Sequence, residues 1–140
     1  MRTFTVPLIL INLQDDGFHL LVEIVVFGKK LLAVVDTGAS RSVFDIALIR
    51  QHIDITETLE SQATTLFSTT STLQATLPVL KIGRLKIKDY YAVGLELAGV
   101  NETYNSLGHP TIAAIIGSDI FLRYQATINF KKLNLYLYDD

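Results

Sequence analysis

The chain has 140 residues, of which 49% are hydrophobic and 19% charged, a composition that can bury a sizeable core and excludes intrinsic disorder. Its formal net charge of -2, with no basic block longer than a pair, excludes the electrostatic footprint of a nucleic-acid-binding protein. Without cysteine there is no disulfide, no thiol nucleophile and no Cys-based zinc site. This length predicts a single domain over residues 1–140.

The start of the chain predicts neither a membrane span nor an export signal. The apolar run Val6–Ile11 is far shorter than the roughly 20 residues of a membrane-spanning helix. The residues that follow, Asn12, Gln14 and Asp15, are polar and do not form a small-residue cleavage site. We therefore expect a soluble, cytoplasmic protein without a membrane partner.

Strand-favouring residues dominate the first part of the chain. Three extended segments predict a β-meander that ends at Asp36: Phe4–Asn12, Phe18–Phe27 and Leu31–Val35. Beyond the meander, Asp45 is placed to cap a short helix that contains Ile46, Leu48 and Ile49.

The segment Thr56–Thr76 has an unusual composition, because 11 of its 21 residues are Ser or Thr and it contains no Gly or Pro. A flexible linker is one interpretation of such a segment. Hydrophobic residues such as Leu66 and Phe67 are interleaved with the threonines, and Thr favours strands. We therefore favour a polar hairpin that projects from the body of the protein.

The rest of the chain again predicts short strands, with a loop over Gly99–Pro110 and a helix over Ser118–Tyr124. The predicted strands are Leu77–Ile82, Leu85–Ile87, Tyr90–Leu97, Ala113–Ile116, Gln125–Phe130 and Leu133–Tyr138. Many short strands and one or two short helices predict a mostly β fold built as a compact barrel.

The most specific local pattern is the end of the third strand, where Val34 and Val35 lead into Asp36, Thr37 and Gly38. The strand holds the carboxylate in place, and Gly38 allows a tight turn whose amide groups can donate to that carboxylate. Asp and Gly are also ordinary turn formers, so the tripeptide alone is compatible with a plain turn at a strand end.

A second pattern downstream makes the chain resemble the retropepsin-like aspartic proteases, and in particular their single-domain bacterial members. Residues 34–40 match the family sequence of two hydrophobic residues, Asp-Thr-Gly-Ala and a polar residue. Ile115, Ile116 and Gly117, followed by the predicted helix, match the later element of the family. The Ser/Thr-rich hairpin lies between them, where the family has its flap, at about 62–73. The resemblance implies an acid-protease β-barrel with a flap hairpin.

The resemblance also implies an aspartic endopeptidase that cleaves polypeptides with a water molecule and without a metal or cofactor. Such enzymes use two adjacent carboxylates that share a proton. Because this chain has a single Asp-Thr-Gly, the second catalytic Asp36 has to come from another copy in a homodimer. The alternative is a non-catalytic module that keeps the fold for dimerisation or peptide binding.

The resemblance assigns a role to each residue of the site. Asp36 is the expected catalytic residue, and Thr37 and Gly38 support it. The expected substrate-binding residues are Ala39, Ser40, Leu66, Phe67 and Ile115.

The chain departs from the retroviral pattern at the dimer and at the flap. The ion pair that supports retroviral dimers is replaced by Ser40 and Ser118, from which we expect a weaker dimer. The expected flap tip has no Gly. Two further expectations concern residues outside the motif: Asp119 satisfies backbone donors at the start of its own helix, and the three histidines are surface or loop residues.

Overall fold

The structure of the chain is a computed structural model that describes residues 1–53, 59–64 and 69–140, with 59–64 and 69–72 described by their backbone alone. The strands are β1 (Arg2–Asn12), β2 (Phe18–Val26), β3 (Lys29–Val35), β4 (Val43–Asp45), β5 (Leu59–Thr64), β6 (Thr69–Ile82), β7 (Leu85–Leu95), β8 (Ala114–Ile116), β9 (Thr127–Asn129) and β10 (Asn134–Asp139). The α-helices are α1 (Ile46–His52), α2 (Ala98–Ser106) and α3 (Ser118–Arg123).

Six of these strands close into a barrel. The sheet runs in the order β6-β7-β4-β8-β3-β2, and an additional antiparallel pairing of β2 with β6 joins its two ends. Closure leaves no open edge among these six strands, which protects them from pairing with other chains. The mostly β barrel predicted from the sequence is confirmed.

The barrel is filled by alternating apolar side chains, as expected for strands with one face turned inward. On β6, for example, the buried residues Leu73, Ala75 and Leu77 alternate with more exposed ones, and Leu80 and Ile82 are buried beyond Pro78. Burying one such side chain contributes about 1.5–3 kcal/mol. A second, smaller apolar cluster lies where α2 packs on the sheet, and it includes Ile11, Val34, Tyr104 and Ile112.

The two ends of the chain extend the sheet beyond the barrel. The first half of β1, from Arg2 to Pro7, pairs with β10, and its second half, from Leu8 to Asn12, pairs with β2. Pro7 therefore lies at the point where β1 changes partner, where a residue without an N–H group is tolerated. Among the described residues, no helix is both long and apolar enough to span a membrane.

The predicted hairpin is confirmed in its backbone pairing. Residues 59–64 of β5 pair antiparallel with residues 69–74 of β6. The expected flap of 62–73 thus contains parts of both strands, whereas its expected substrate-binding residues Leu66 and Phe67 lie outside the described residues. The predicted cap of α1 is also confirmed, since the Asp45 side chain accepts a hydrogen bond from Ala47 N at 3.1 Å.

The predicted loop over Gly99–Pro110 is wrong, because this segment contains α2. Apolar residues at helical spacing, Leu97, Val100, Tyr104 and Leu107, were present in the sequence. The position that completes the buried stripe is Asn101, a polar residue that weakens the pattern. Asn101 is buried because its side chain pairs with the backbone of Ile112, donating to Ile112 O at 3.0 Å and accepting from Ile112 N at 2.8 Å.

Candidate active site

Asp36 lies in the turn directly after β3, with its side chain exposed. Its backbone N–H continues the pairing of β3 with β8 by donating to Ile116 O at 2.9 Å. Gly38 N donates to Asp36 Oδ1 at 2.9 Å, and Ala39 N donates to Asp36 O at 3.1 Å. The turn thus fixes one carboxylate oxygen with a backbone amide and leaves the carboxylate facing outward.

The structure brings the two sequence motifs into contact at Gly117. A Cβ atom on Gly117 would lie 2.6 Å from the carbonyl oxygen of Ala39, so only glycine permits this approach. The next residue, Ser118, donates from its backbone N to Ala39 O at 2.8 Å and from Oγ to Ala39 O at 3.1 Å and to Ser40 O at 3.3 Å. The positions of the missing retroviral ion pair are therefore joined here by hydrogen bonds within one chain.

Behind this contact a hydrogen-bonded group ties α3 to the Asp36 turn. Asp119 Oδ1 accepts from Ser42 N at 2.8 Å and from Ser42 Oγ at 2.7 Å, and Asp119 Oδ2 accepts from the Tyr90 hydroxyl. Ser42 Oγ in turn accepts from Gly117 N at 2.8 Å. Burial, followed by the hydrogen bond to Asp119, raises the pKa of Tyr90.

The sequence predicted that Asp119 satisfies backbone donors at the start of its own helix, and this partner is wrong. Asp119 satisfies a backbone donor, but that donor belongs to Ser42, far away in the sequence, and α3 has no side-chain cap. Nothing local in the sequence reveals such a contact, because it depends on how the barrel folds. Asp119 is a structural link between α3, β7 and the segment that follows the Asp36 turn.

Register defines the sheet face on which Asp36 lies. Val34 and Asp36 are two residues apart, so their side chains point to the same face of the sheet. Val34 pairs with Ile115, Ile115 with Val43, and Val43 with Val93. We call the surface formed by these five residues the Asp36 face. Its residues Ile115, Val43 and Val93 are half-buried, and Ile115 and Val43 also pack against the apolar cluster under α2. The parts of these side chains that stay exposed provide an apolar floor beside the carboxylate.

Two residues that sequence reasoning did not place at the site lie near Asp36. The register of Leu20 with Val35 puts His19 opposite Asp36 on the neighbouring strand. His19 Nδ1 is hydrogen-bonded to the hydroxyl of Tyr104 on α2. The pKa of Tyr104 is raised by burial and, to a smaller extent, by the charge of Asp36. Tyr104 was missed because the sequence predicted a loop over 99–110 in place of α2, and a residue in a loop has no predicted position relative to Asp36.

The remaining expected site residues are distributed around this turn. Thr37, Gly38 and Ser40 are exposed, Ala39 is half-buried, and Ile115 lies on the Asp36 face. A cavity of about 380 Å³ lies elsewhere, lined by residues that include Leu31, Leu48 and Ile112, and does not include the turn. Within residues 1–53, 59–64 and 69–140, no group of three or more His, Asp or Glu side chains is arranged to hold a metal ion.

Comparison with known proteins agrees with these motifs and this geometry. A family model described as "Aspartyl protease" matches residues 22–120, which is well over half of the chain. The chain belongs to the aspartyl protease family.

Comparison with a solved structure identifies the fold of this aspartyl protease. The crystal structure of a retropepsin-like aspartic protease from Rickettsia conorii matches it with a TM-score of 0.59 and 22% identity, over 99% of this chain and 96% of that chain. The retropepsin-like fold expected from the sequence is confirmed. Comparison with curated proteins gave no match.

Proposed function

We propose that this aspartyl protease is an endopeptidase that acts as a homodimer, with one Asp36 from each protomer forming the catalytic pair. The observation that carries the proposal is the exposed Asp36 carboxylate, held by Gly38 N at the end of β3. The whole chain contains one Asp-Thr-Gly sequence. A two-fold axis that passes beside Asp36 would bring two identical carboxylates together, which one chain by itself does not provide.

The chemistry proposed for this pair is hydrolysis by an activated water molecule. Two carboxylates a few ångströms apart share one proton, because two adjacent negative charges repel each other. The ionised carboxylate takes a proton from water as the water oxygen attacks the peptide carbonyl carbon, and the protonated carboxylate donates a hydrogen bond to the carbonyl oxygen. The C–N bond then breaks, and the amine leaves with a proton from the pair.

The other site residues support this reaction in the proposed dimer. Thr37 and Gly38 shape the turn, Ala39 and Ser40 face the substrate backbone, and Ile115 forms part of the apolar floor. The β5–β6 hairpin covers the bound polypeptide, and Leu66 and Phe67 are kept as proposed substrate contacts. An extended substrate would lie between the floor and this hairpin, which excludes water from the reacting bond.

The proposal is tested by the substitution Asp36→Asn. We expect peptide cleavage, measured on a mixed peptide library at acidic and neutral pH, to fall by at least about 10²-fold, because the pair loses its ionisable group. Asp15→Asn, which neutralises an exposed carboxylate in the turn between β1 and β2, is the matched control and should retain activity.

Far-UV circular dichroism and thermal unfolding would establish that both variants are folded. Cleavage by folded Asp36→Asn at the wild-type rate would refute the proposal. A wild-type protein that binds peptides without cleaving them would instead support the non-catalytic module.

A further inference from the structure

The positively charged residue Arg41 lies on the same side of the sheet as Asp36. The register of β8 with β3, extended by one residue, and with β4, extended by two residues, places Gly117 between Asp36 and Arg41. The close approach of Gly117 to the turn agrees with this, since a Cβ atom there would lie 3.1 Å from the carbonyl carbon of Arg41. Neighbouring strands are about 4.8 Å apart, so continuing the two pairings gives a separation of about 10 Å between the backbones of Arg41 and Asp36.

The Arg41 side chain is exposed but held in position. Its Nη2 donates to Tyr91 O at 2.8 Å, and its guanidinium lies over the Tyr91 ring, 5.7 Å from the ring centroid. The Tyr91 hydroxyl donates to Gln74 Oε1 on β6, the strand that also forms the hairpin with β5. Arg41 is thus held against β7, and Tyr91 connects it to β6, one of the two strands of the hairpin.

Within the part of the chain that the structure describes, the Arg41 guanidinium forms no ion pair. The ion pair found in the described part of the chain joins Arg2 and Asp139. The nearby carboxylate of Asp119 already accepts three hydrogen bonds from Ser42 and Tyr90. A guanidinium has five N–H donors in a planar fork that fits a carboxylate with two parallel hydrogen bonds. Tyr91 O takes one of these donors, which leaves an edge of the fork for a ligand.

We propose that Arg41 determines substrate specificity by binding an acidic side chain of the polypeptide. This inference rests on the proposed function, because it assigns the substrate class of the same site. An extended peptide advances about 3.3 Å per residue, so a distance of about 10 Å corresponds to an acidic side chain two to four residues from the scissile bond. Tyr91 is 47% exposed, and its ring forms the apolar wall against which the methylene groups of a Glu side chain pack.

The test compares substrates that differ in one charge. Peptides cleaved by the wild-type enzyme are resynthesised with Glu, Gln or Lys at each position up to four residues from the cleaved bond. We expect kcat/KM to be about tenfold higher for Glu than for Gln at one position, and this preference to shrink as salt is added. Arg41→Glu should reverse the preference in favour of Lys at that position, and Arg41→Lys should keep a reduced preference for Glu.

Arg84→Glu is the matched control, because it makes the same charge change on the exposed turn between β6 and β7. This variant should keep the wild-type preference. Equal kcat/KM for Glu and Gln peptides in the wild type, or the same preference in Arg41→Glu as in the wild type, would overturn the inference while leaving the proposed function intact.

Binding separates this inference from the proposed catalysis. In Asp36→Asn protein, fluorescein-labelled decapeptides with Glu fixed at one position should bind more tightly than their Gln counterparts, and Arg41→Gln should abolish the difference. If the wild type cleaves nothing but this Arg41-dependent binding persists, the proposed function fails and the acidic-peptide site stands. If Glu and Gln peptides bind equally tightly, or if the difference between them does not depend on Arg41, the acidic-peptide site is refuted.

Discussion

At the scale of single residues, Gly117 has the tightest surroundings in the site. Its Cβ position is 2.6 Å from Ala39 O and 3.1 Å from both the Ala39 Cβ and the Arg41 carbonyl carbon. Two of these atoms belong to the backbone, so they cannot give way as the end of a flexible side chain would. Any side chain at this position has to push the Asp36 turn away from β8.

We therefore expect Gly117→Ala to lower the free energy of unfolding by about 1–3 kcal/mol, as overpacking usually does. Activity should fall by more than the loss of folded protein explains, because displacing a reacting group by about 1 Å can cost about 10²-fold. Urea unfolding and kcat/KM under conditions where the variant is folded measure the two effects separately.

Gly99→Ala provides the control, since Gly99 lies in α2 and, among the described residues outside its own helix turn, no atom comes within 4 Å of its Cβ position. Ala is the better helix former, so this change should be neutral or stabilise the protein by about 0.5–1 kcal/mol. Wild-type stability and activity in Gly117→Ala would contradict the role given to the close contact.

Residues that act through local chemistry were predictable from the sequence. Asp36 and Gly38 follow a strand directly, and the hydrogen bond between them joins residues only two apart. Asp45 caps the helix that begins at the next residue. The contacts of Asp119 and Arg41 were not predictable, because their partners Ser42, Tyr90 and Tyr91 lie far from them along the chain, Ser42 for Asp119 and the tyrosines for both. A single sequence carries no signal for such distant polar contacts.

At the scale of elements, the hydroxyl of Tyr90 joins β7 to α3. It donates to Asp119 Oδ2, and the same carboxylate also holds Ser42. Replacing Tyr90 with Phe keeps the ring, which contacts Phe44 at 5.9 Å between centroids, but leaves the carboxylate oxygen without this donor. We expect Tyr90→Phe to lower the free energy of unfolding by about 1–3 kcal/mol.

The pH dependence of stability gives a second measurement for the same variant. Since the pKa of Tyr90 is raised on folding, the folded state holds this proton more tightly than the unfolded state, in which Tyr titrates near pH 10. The stabilisation is therefore complete below about pH 10 and is lost as the pH rises toward the folded pKa. In Tyr90→Phe, the decline of the unfolding free energy above pH 10 should be shallower than in the wild type.

Tyr138→Phe is the control for this experiment, because the Tyr138 hydroxyl makes no hydrogen bond with the described residues. Its stability below pH 10 should match that of the wild type. The role assigned to Tyr90 is wrong if Tyr90→Phe and Tyr138→Phe give the same stability and the same slope with pH.

Element prediction succeeded where one physical signal dominated. Alternating apolar residues identified the strands of the barrel. The hairpin within Thr56–Thr76 was predictable although the segment has few core-forming residues, because its threonines favour strands. Prediction failed at α2 because Asn101 replaces an apolar residue in the buried stripe. The pairing of Asn101 with Ile112 imitates the hydrogen bonds of a neighbouring strand, and only the folded chain brings the two together.

At the scale of the whole molecule, the proposed site needs two chains, and mixing subunits tests this directly. When wild type and Asp36→Asn are combined in equal amounts and allowed to exchange, half of the wild-type chains acquire a variant partner. We expect activity per wild-type chain to fall by about half. Asp15→Asn mixed in the same way should leave activity per wild-type chain unchanged.

Dilution provides the companion measurement. Specific activity and the sedimentation coefficient should fall together with protomer concentration, with a substantial monomer fraction at micromolar concentration. Full activity per wild-type chain in the mixture, or an active monomer on dilution, would show that one chain is sufficient.

The hydrogen bonds that hold the Asp36 turn have a consequence for the kinetics of assembly. The hydrogen bonds described for the turn join Asp36 and Ala39 to each other and to Gly38, Ile116 and Ser118, within one chain. An isolated protomer therefore carries its half of the site already shaped, and in the proposed dimer association is the docking of two ordered surfaces. No folding step then has to precede productive encounter, so we expect dilution to stop activity without unfolding the protein. Reconcentration should restore activity at the bimolecular rates usual for rigid partners, about 10⁵–10⁷ M⁻¹s⁻¹.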